Sequence, residues 1–172
     1  MLSNLTMKYL VGLFLLGMLA SCKKPEEFPD VPVINFTDIY SSQNAQNHDD
    51  NLTIVLNFTD GDGDVGYKEL GQNGPPYDTQ GSQYYNNYLA KLFLFKNNAW
   101  DEYPTVLPLG GRLPYLTPDG KNKALKGQIT CSFILAGIIA DQDTFRLDVF
   151  IYDRALHQSN VVTTSAIVLN TQ

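Results

Sequence analysis

The chain has 172 residues, 44% hydrophobic and 17% charged, with 18 Asp and Glu against 12 Lys and Arg and a formal net charge of −6. An acidic balance without a basic cluster argues against nucleic acid as a partner. The length from Val33 onward, about 140 residues, suits one domain with its own core.

Tyr9 to Ala20 is an apolar run behind a single basic residue, Lys8. A membrane-spanning helix needs about 20 apolar residues, so this shorter run reads as the core of a signal peptide covering residues 1–21. It ends in Leu19-Ala20-Ser21-Cys22, small residues before a thiol. The segment resembles the lipobox of bacterial lipoproteins. The resemblance implies that Cys22 is lipidated and becomes the first residue of the mature chain. Two or three acyl chains then hold the protein on a membrane, at roughly 0.8 kcal/mol per buried CH2.

Residues 22–32 carry the Cys and then Lys23-Lys24-Pro25-Glu26-Glu27-Phe28-Pro29-Asp30-Val31-Pro32, a charged, Pro-rich composition that reads as a semi-rigid spacer. Lys after the Cys resembles lipoproteins sent to an outer membrane. The acidic pair resembles the surface-export signal of Bacteroidetes-type lipoproteins, or is a solvated linker. The expected location is the outer membrane, on its periplasmic or its cell-surface side.

Residues 33–172 predict seven strands: Val33–Tyr40, Leu52–Phe58, Tyr88–Lys96, Trp100–Leu107, Ala124–Leu135, Phe145–Ile151 and Val161–Leu169. Leu52, Ile54, Leu56 and Phe58 alternate with Thr53, Val55 and Asn57, and Phe145, Leu147, Val149 and Ile151 alternate with Arg146, Asp148, Phe150 and Tyr152. Breakers such as Gly110-Gly111 and Thr117-Pro118-Asp119-Gly120 separate the runs. Seven short strands over this length predict an all-β, immunoglobulin- or fibronectin-like sandwich of two sheets, with a barrel as the competing fold. Cys131 lies on the apolar side of its strand and, with Cys22 lipidated, has no disulfide partner.

The main chemical signal is Asp60-Gly61-Asp62-Gly63-Asp64, carboxylates at alternate positions with Gly between them. Curling three like charges together is unfavourable without a cation, and hard oxygen ligands suit Ca2+. Val65 and Gly71 stand where an EF-hand needs its Gly and its closing Glu, so the missing ligands must come from elsewhere. Parity supplies one. Asp60 continues the inward series of its strand and Asp153 that of Phe145–Ile151, which places both at one end of the core. Asp60, Asp62, Asp64 and Asp153 are therefore the expected Ca2+ ligands; the alternative is a hydrophilic turn needing no ion.

Phe58 to Gly66, Arg112 to Pro118, and Tyr152-Asp153-Arg154-Ala155 with Ser159-Asn160-Val161-Val162 resemble a group of uncharacterised Bacteroidetes-type lipoproteins. The last segment is also similar to the Asp-x-Ala-Gly-Asn-x-Ser ending of bacterial immunoglobulin-like domains, with Leu156-His157 in place of Gly-Asn. The resemblance implies fold, anchor and metal, and no activity.

A long connection, Gln72 to Tyr88, is rich in Tyr, Asn, Gly and Ser. Such composition makes an adaptable contact surface. Tyr77, Tyr84, Tyr85 and Trp100 are candidate ligand-binding residues for a glycan or a protein, unless the loop simply covers a sheet edge. No nucleophile elbow, phosphate-cradling loop or paired-His motif is present, so the expected protein is not an enzyme. Two functions follow: a Ca2+-stabilised structural or interaction module on a membrane, or a glycan-binding accessory lipoprotein.

Overall fold

The computed structural model describes residues 26–105, 108–118, 123–134 and 138–170. The signal segment and Cys22 lie outside the described residues. Among the described residues the chain is all-β, and no helix long and apolar enough to cross a membrane is present.

Nine strands form: β1 (Val33–Gln43), β2 (Asp49–Asp60), β3 (Tyr88–Lys96), β4 (Ala99–Tyr103), β5 (Leu109–Gly111), β6 (Leu125–Ile134), β7 (Thr144–Ile151), β8 (Val162–Thr163) and β9 (Ile167–Val168). One sheet has the order β1-β2-β6. The other has the order β4-β3-β7-β8, with β5 also on β3 and β9 also on β7. Every named pairing is antiparallel. The two sheets form the expected immunoglobulin-like sandwich, not a barrel.

Period-2 alternation builds the core between the sheets. Leu52, Ile54, Leu56 and Phe58 of β2 are buried, as are Phe145, Leu147, Val149 and Ile151 of β7. Ile34 of β1, Ile129, Cys131 and Phe133 of β6 and Leu92 and Leu94 of β3 join them in the same core. Burial pushes the Cys131 thiol up to about 12, so it stays protonated inside.

Four expectations need correction. The strand expected over Trp100–Leu107 ends at Tyr103; Val106 and Leu107 lie outside the described residues. It follows β3 through Asn97-Asn98, both at positive φ (52° and 63°), the geometry of a tight two-residue hairpin. Gly110-Gly111, read as a breaker, is part of β5. A Cβ on Gly110 would stand 2.3 Å from the Tyr88 carbonyl oxygen, so the close pairing with β3 needs glycine there.

The last strand is split into β8 and β9. Between them the buried Thr164 hydroxyl accepts the Leu147 N–H at 3.0 Å, taking the place of a ladder carbonyl. The spacer, finally, is not clear of the domain: the Gly61 N–H donates to the Pro29 carbonyl at 2.8 Å, Pro32 is buried, and Lys126 pairs with Glu26 at 3.0 Å.

Candidate metal centre

Asp60 ends β2, on its inward-facing side, and is fully buried. The turn that follows curls back on it. Asp60 Oδ2 accepts the N–H groups of Asp64 (2.8 Å) and Val65 (3.1 Å). Gly63 makes the curl at φ 67°, and a Cβ there would run into the Lys123 carbonyl. The curl leaves Asp60 Oδ1 and Asp64 Oδ1 buried without a hydrogen-bond partner.

Asp153 arrives from the facing sheet, just after β7, and is also fully buried. Val65 and Asp153 form an antiparallel bridge that ties the turn to the other sheet. Carboxylate oxygens of Asp60, Asp64 and Asp153 lie within 4.8 Å of one another. Asp62 is exposed and stands outside this group. Alternation along a turn does not carry side chains to one point. The peptide that puts Asp64 back under Asp60 turns Asp62 to solvent.

Burial first, then like charges, acts on this cluster. Burial lifts the Asp60 carboxyl to about 7 against two backbone N–H bonds, with Asp62 and Asp64 adding to the rise. Burial and the charges of Asp153 and Asp62 lift Asp64 to about 6, opposed by Arg154. Asp153 is raised by burial and held down in part by His157, which donates its backbone N–H to Oδ1 at 2.7 Å and sets Nδ1 2.9 Å from Oδ2. Asp60, Asp64 and Asp153 thus gather three hard oxygen donors of the kind that Ca2+ takes.

Residues outside the sequence-level expectation shape the centre. His157 is brought to Asp153 by a turn in which Leu156 takes φ 69°. The site thus adopts the left-handed turn expected of Gly, with Leu in its place. Tyr67 is buried with an unpartnered Oη. Burial, then Tyr77 and the charges of Asp153 and Asp64, holds its phenol above the ordinary range, so it faces the cluster as a neutral hydroxyl. Arg154 donates to the Val65 and Gly66 carbonyls and to Thr117 Oγ1, and lies 4.4 Å over the Tyr115 ring.

The Tyr-rich connection is fastened rather than free. Arg112 donates to the carbonyls of Tyr77 (2.8 Å) and Tyr85 (2.7 Å) and to Asp78 (3.0 Å), and its guanidinium lies 4.9 Å from the Tyr67 ring. Asp78 in turn accepts the N–H groups of Asn73 and Gly74. Tyr77 donates to the Arg154 carbonyl, and Tyr84 meets Tyr152 edge-on at 5.0 Å. Tyr77, Tyr84 and Tyr85 are half-buried and do not form one exposed row. Trp100 lies apart from Tyr77 and Tyr85, on β4.

Compared with protein-family models, curated proteins and solved structures, the chain matches none.

Proposed function

We propose that the protein is a noncatalytic, membrane-anchored β-sandwich lipoprotein that serves as a structural or interaction module, its sandwich end closed by Ca2+. The observation that carries the reading is the pair of buried, unpartnered oxygens, Asp60 Oδ1 and Asp64 Oδ1, beside Asp153. A polar oxygen sealed from water without a partner costs free energy that a bound cation removes. Asp60 and Asp153 are closed to solvent, which suits a structural ion better than a reaction centre reached by substrate. Anchoring through Cys22 rests on the leader sequence, and the outer membrane as its place on Lys23 after the Cys.

Two measurements test the proposal on the full chain. Thermal melts in millimolar Ca2+ and in EDTA should separate, with Ca2+ the higher; coincident melts remove the ion from the reading. Cys22→Ser should move the protein from the detergent phase to the aqueous phase, and unchanged partitioning removes the anchor.

A further inference from the structure

The outer face of the larger sheet is unlike the water-facing side of an ordinary sandwich, which is polar. Inward residues of β3 and β7 are the buried Leu92, Leu94, Phe145, Leu147, Val149 and Ile151, so their alternates point out. Phe93 stands directly opposite Arg146, and Phe95 opposite Trp100. The Arg146 guanidinium lies 4.6 Å from the Trp100 ring centroid and 5.6 Å from that of Phe93. Further along β7 the same face carries Phe150, 5.6 Å from Tyr152, which meets Tyr84. From the Phe95–Trp100 pair to Tyr152 the strip runs for about 25 Å at roughly 3.3 Å per residue.

Between these aromatic ends lies a polar band: Lys91 with Glu102 at 3.6 Å, and Asp148 accepting from Thr163 at 2.6 Å. Arg146 is the exception in charge. Lys91 and Lys96 have carboxylate partners, whereas among the described residues none lies within ion-pair distance of Arg146. Its Nε is buried without a hydrogen-bond acceptor. On a chain of net charge −6 the attraction is local: the Arg146 guanidinium, over two rings and without a carboxylate partner among the described residues, is complementary to a single incoming carboxylate.

We infer that this face binds an extended acidic glycan, Trp100 and Phe93 taking the apolar face of a sugar ring while Arg146 pairs with a uronate carboxylate. A sugar ring presents C–H groups on one side and hydroxyls at its rim, matching aromatic ends joined by a polar band. A peptide is disfavoured because β3 and β7 are interior strands with both edges paired, which removes strand addition as a source of affinity. The inference is independent of the metal centre.

The test is titration calorimetry of the detergent-solubilised full chain with oligogalacturonate, its fully methyl-esterified form and poly-glutamate. Oligogalacturonate should bind, and esterification should weaken it about tenfold or more, the scale of one lost charge-assisted contact. Trp100→Ala and Arg146→Gln should each weaken it similarly while melting near the wild type. Arg146→Lys, which keeps the charge without the planar fork, serves if the Gln variant fails to fold. Absence of oligogalacturonate binding, equal binding of the ester, or no effect of Trp100→Ala overturns the inference. Tighter binding of poly-glutamate overturns it in favour of an acidic peptide. A concentration-dependent dimer abolished by Trp100→Ala overturns it in favour of a second copy.

Discussion

Asp60 and Asp153 come from facing sheets and meet at one end of the sandwich, both fully buried, with carboxylate oxygens within 4.8 Å of each other and of Asp64. Two carboxylates about 4 Å apart repel by roughly 4 kcal/mol at an effective dielectric of 20. The chain therefore holds together a pair that is comfortable only when protonated or bridged by a cation.

Asp60→Asn and Asp153→Asn, which keep side-chain shape, should abolish the rise in melting temperature with Ca2+, whereas Asp62→Ala should keep it. At a hundredfold excess over Kd the ion adds about 2.7 kcal/mol, which for a domain of this length is a rise of about 5–10 °C. Calorimetric melts of the three variants check this. An Asp62→Ala chain that no longer responds would place the ion on the exposed part of the turn.

Without the ion, stability should fall as pH rises. Asp60 and Asp64 have folded values near 7 and 6 against an ordinary 3.8. Between these limits the folded state binds more protons than the unfolded state, so each step up in pH costs stability. The contribution is fully present below about 3.8 and is lost as pH rises through 6 to 7. In EDTA the melting temperature should be higher at pH 5 than at pH 7.5. In Ca2+ that difference should shrink or reverse, because the ion binds the deprotonated carboxylates. Parallel pH profiles with and without Ca2+ would disprove the linkage.

Arg112 fastens the Tyr-rich connection through Asp78 and two carbonyls while its side chain is only 20% exposed. Arg112→Ala leaves those acceptors and Asp78 without their cation and should cost about 3 kcal/mol in urea unfolding. Arg112→Lys keeps the charge but not the fork and should recover less than half of the loss. Limited proteolysis should cut both variants between Tyr67 and Asn87 before the wild type.

Leu156 holds φ 69° at the turn that delivers His157 to Asp153. An L residue with a Cβ is strained there by about 1–2 kcal/mol, and glycine is not. Leu156→Gly should stabilise the domain by about 0.5–1 kcal/mol after the extra chain entropy of glycine is subtracted. Loss of stability on this substitution would mean that packing of the Leu side chain outweighs the strain.

Much of this was legible because it is local. A strand repeats every two residues, so Leu52, Ile54, Leu56 and Phe58 carry their parity on to Asp60, and Phe145 to Ile151 carry theirs on to Asp153. The same alternation predicted the sandwich and the buried Cys131. It misled at Asp62, where the strand had ended and parity no longer described direction. It also overlooked β5, because Gly110 reads as a turn residue until a neighbouring backbone is close enough to require it.

The sequence by itself determined which strands have a wet and a dry side, and that carboxylates stand where two dry sides end. Only the tertiary structure decided which of them meet, and what surrounds them. Val65 against Asp153, Arg154 on the Gly66 carbonyl, Tyr77 on the Arg154 carbonyl and Arg112 on Tyr85 join residues far apart along the chain. Such partners leave no periodic trace, because a long-range contact is set by where two loops are brought by the sheets beneath them and not by spacing along either one.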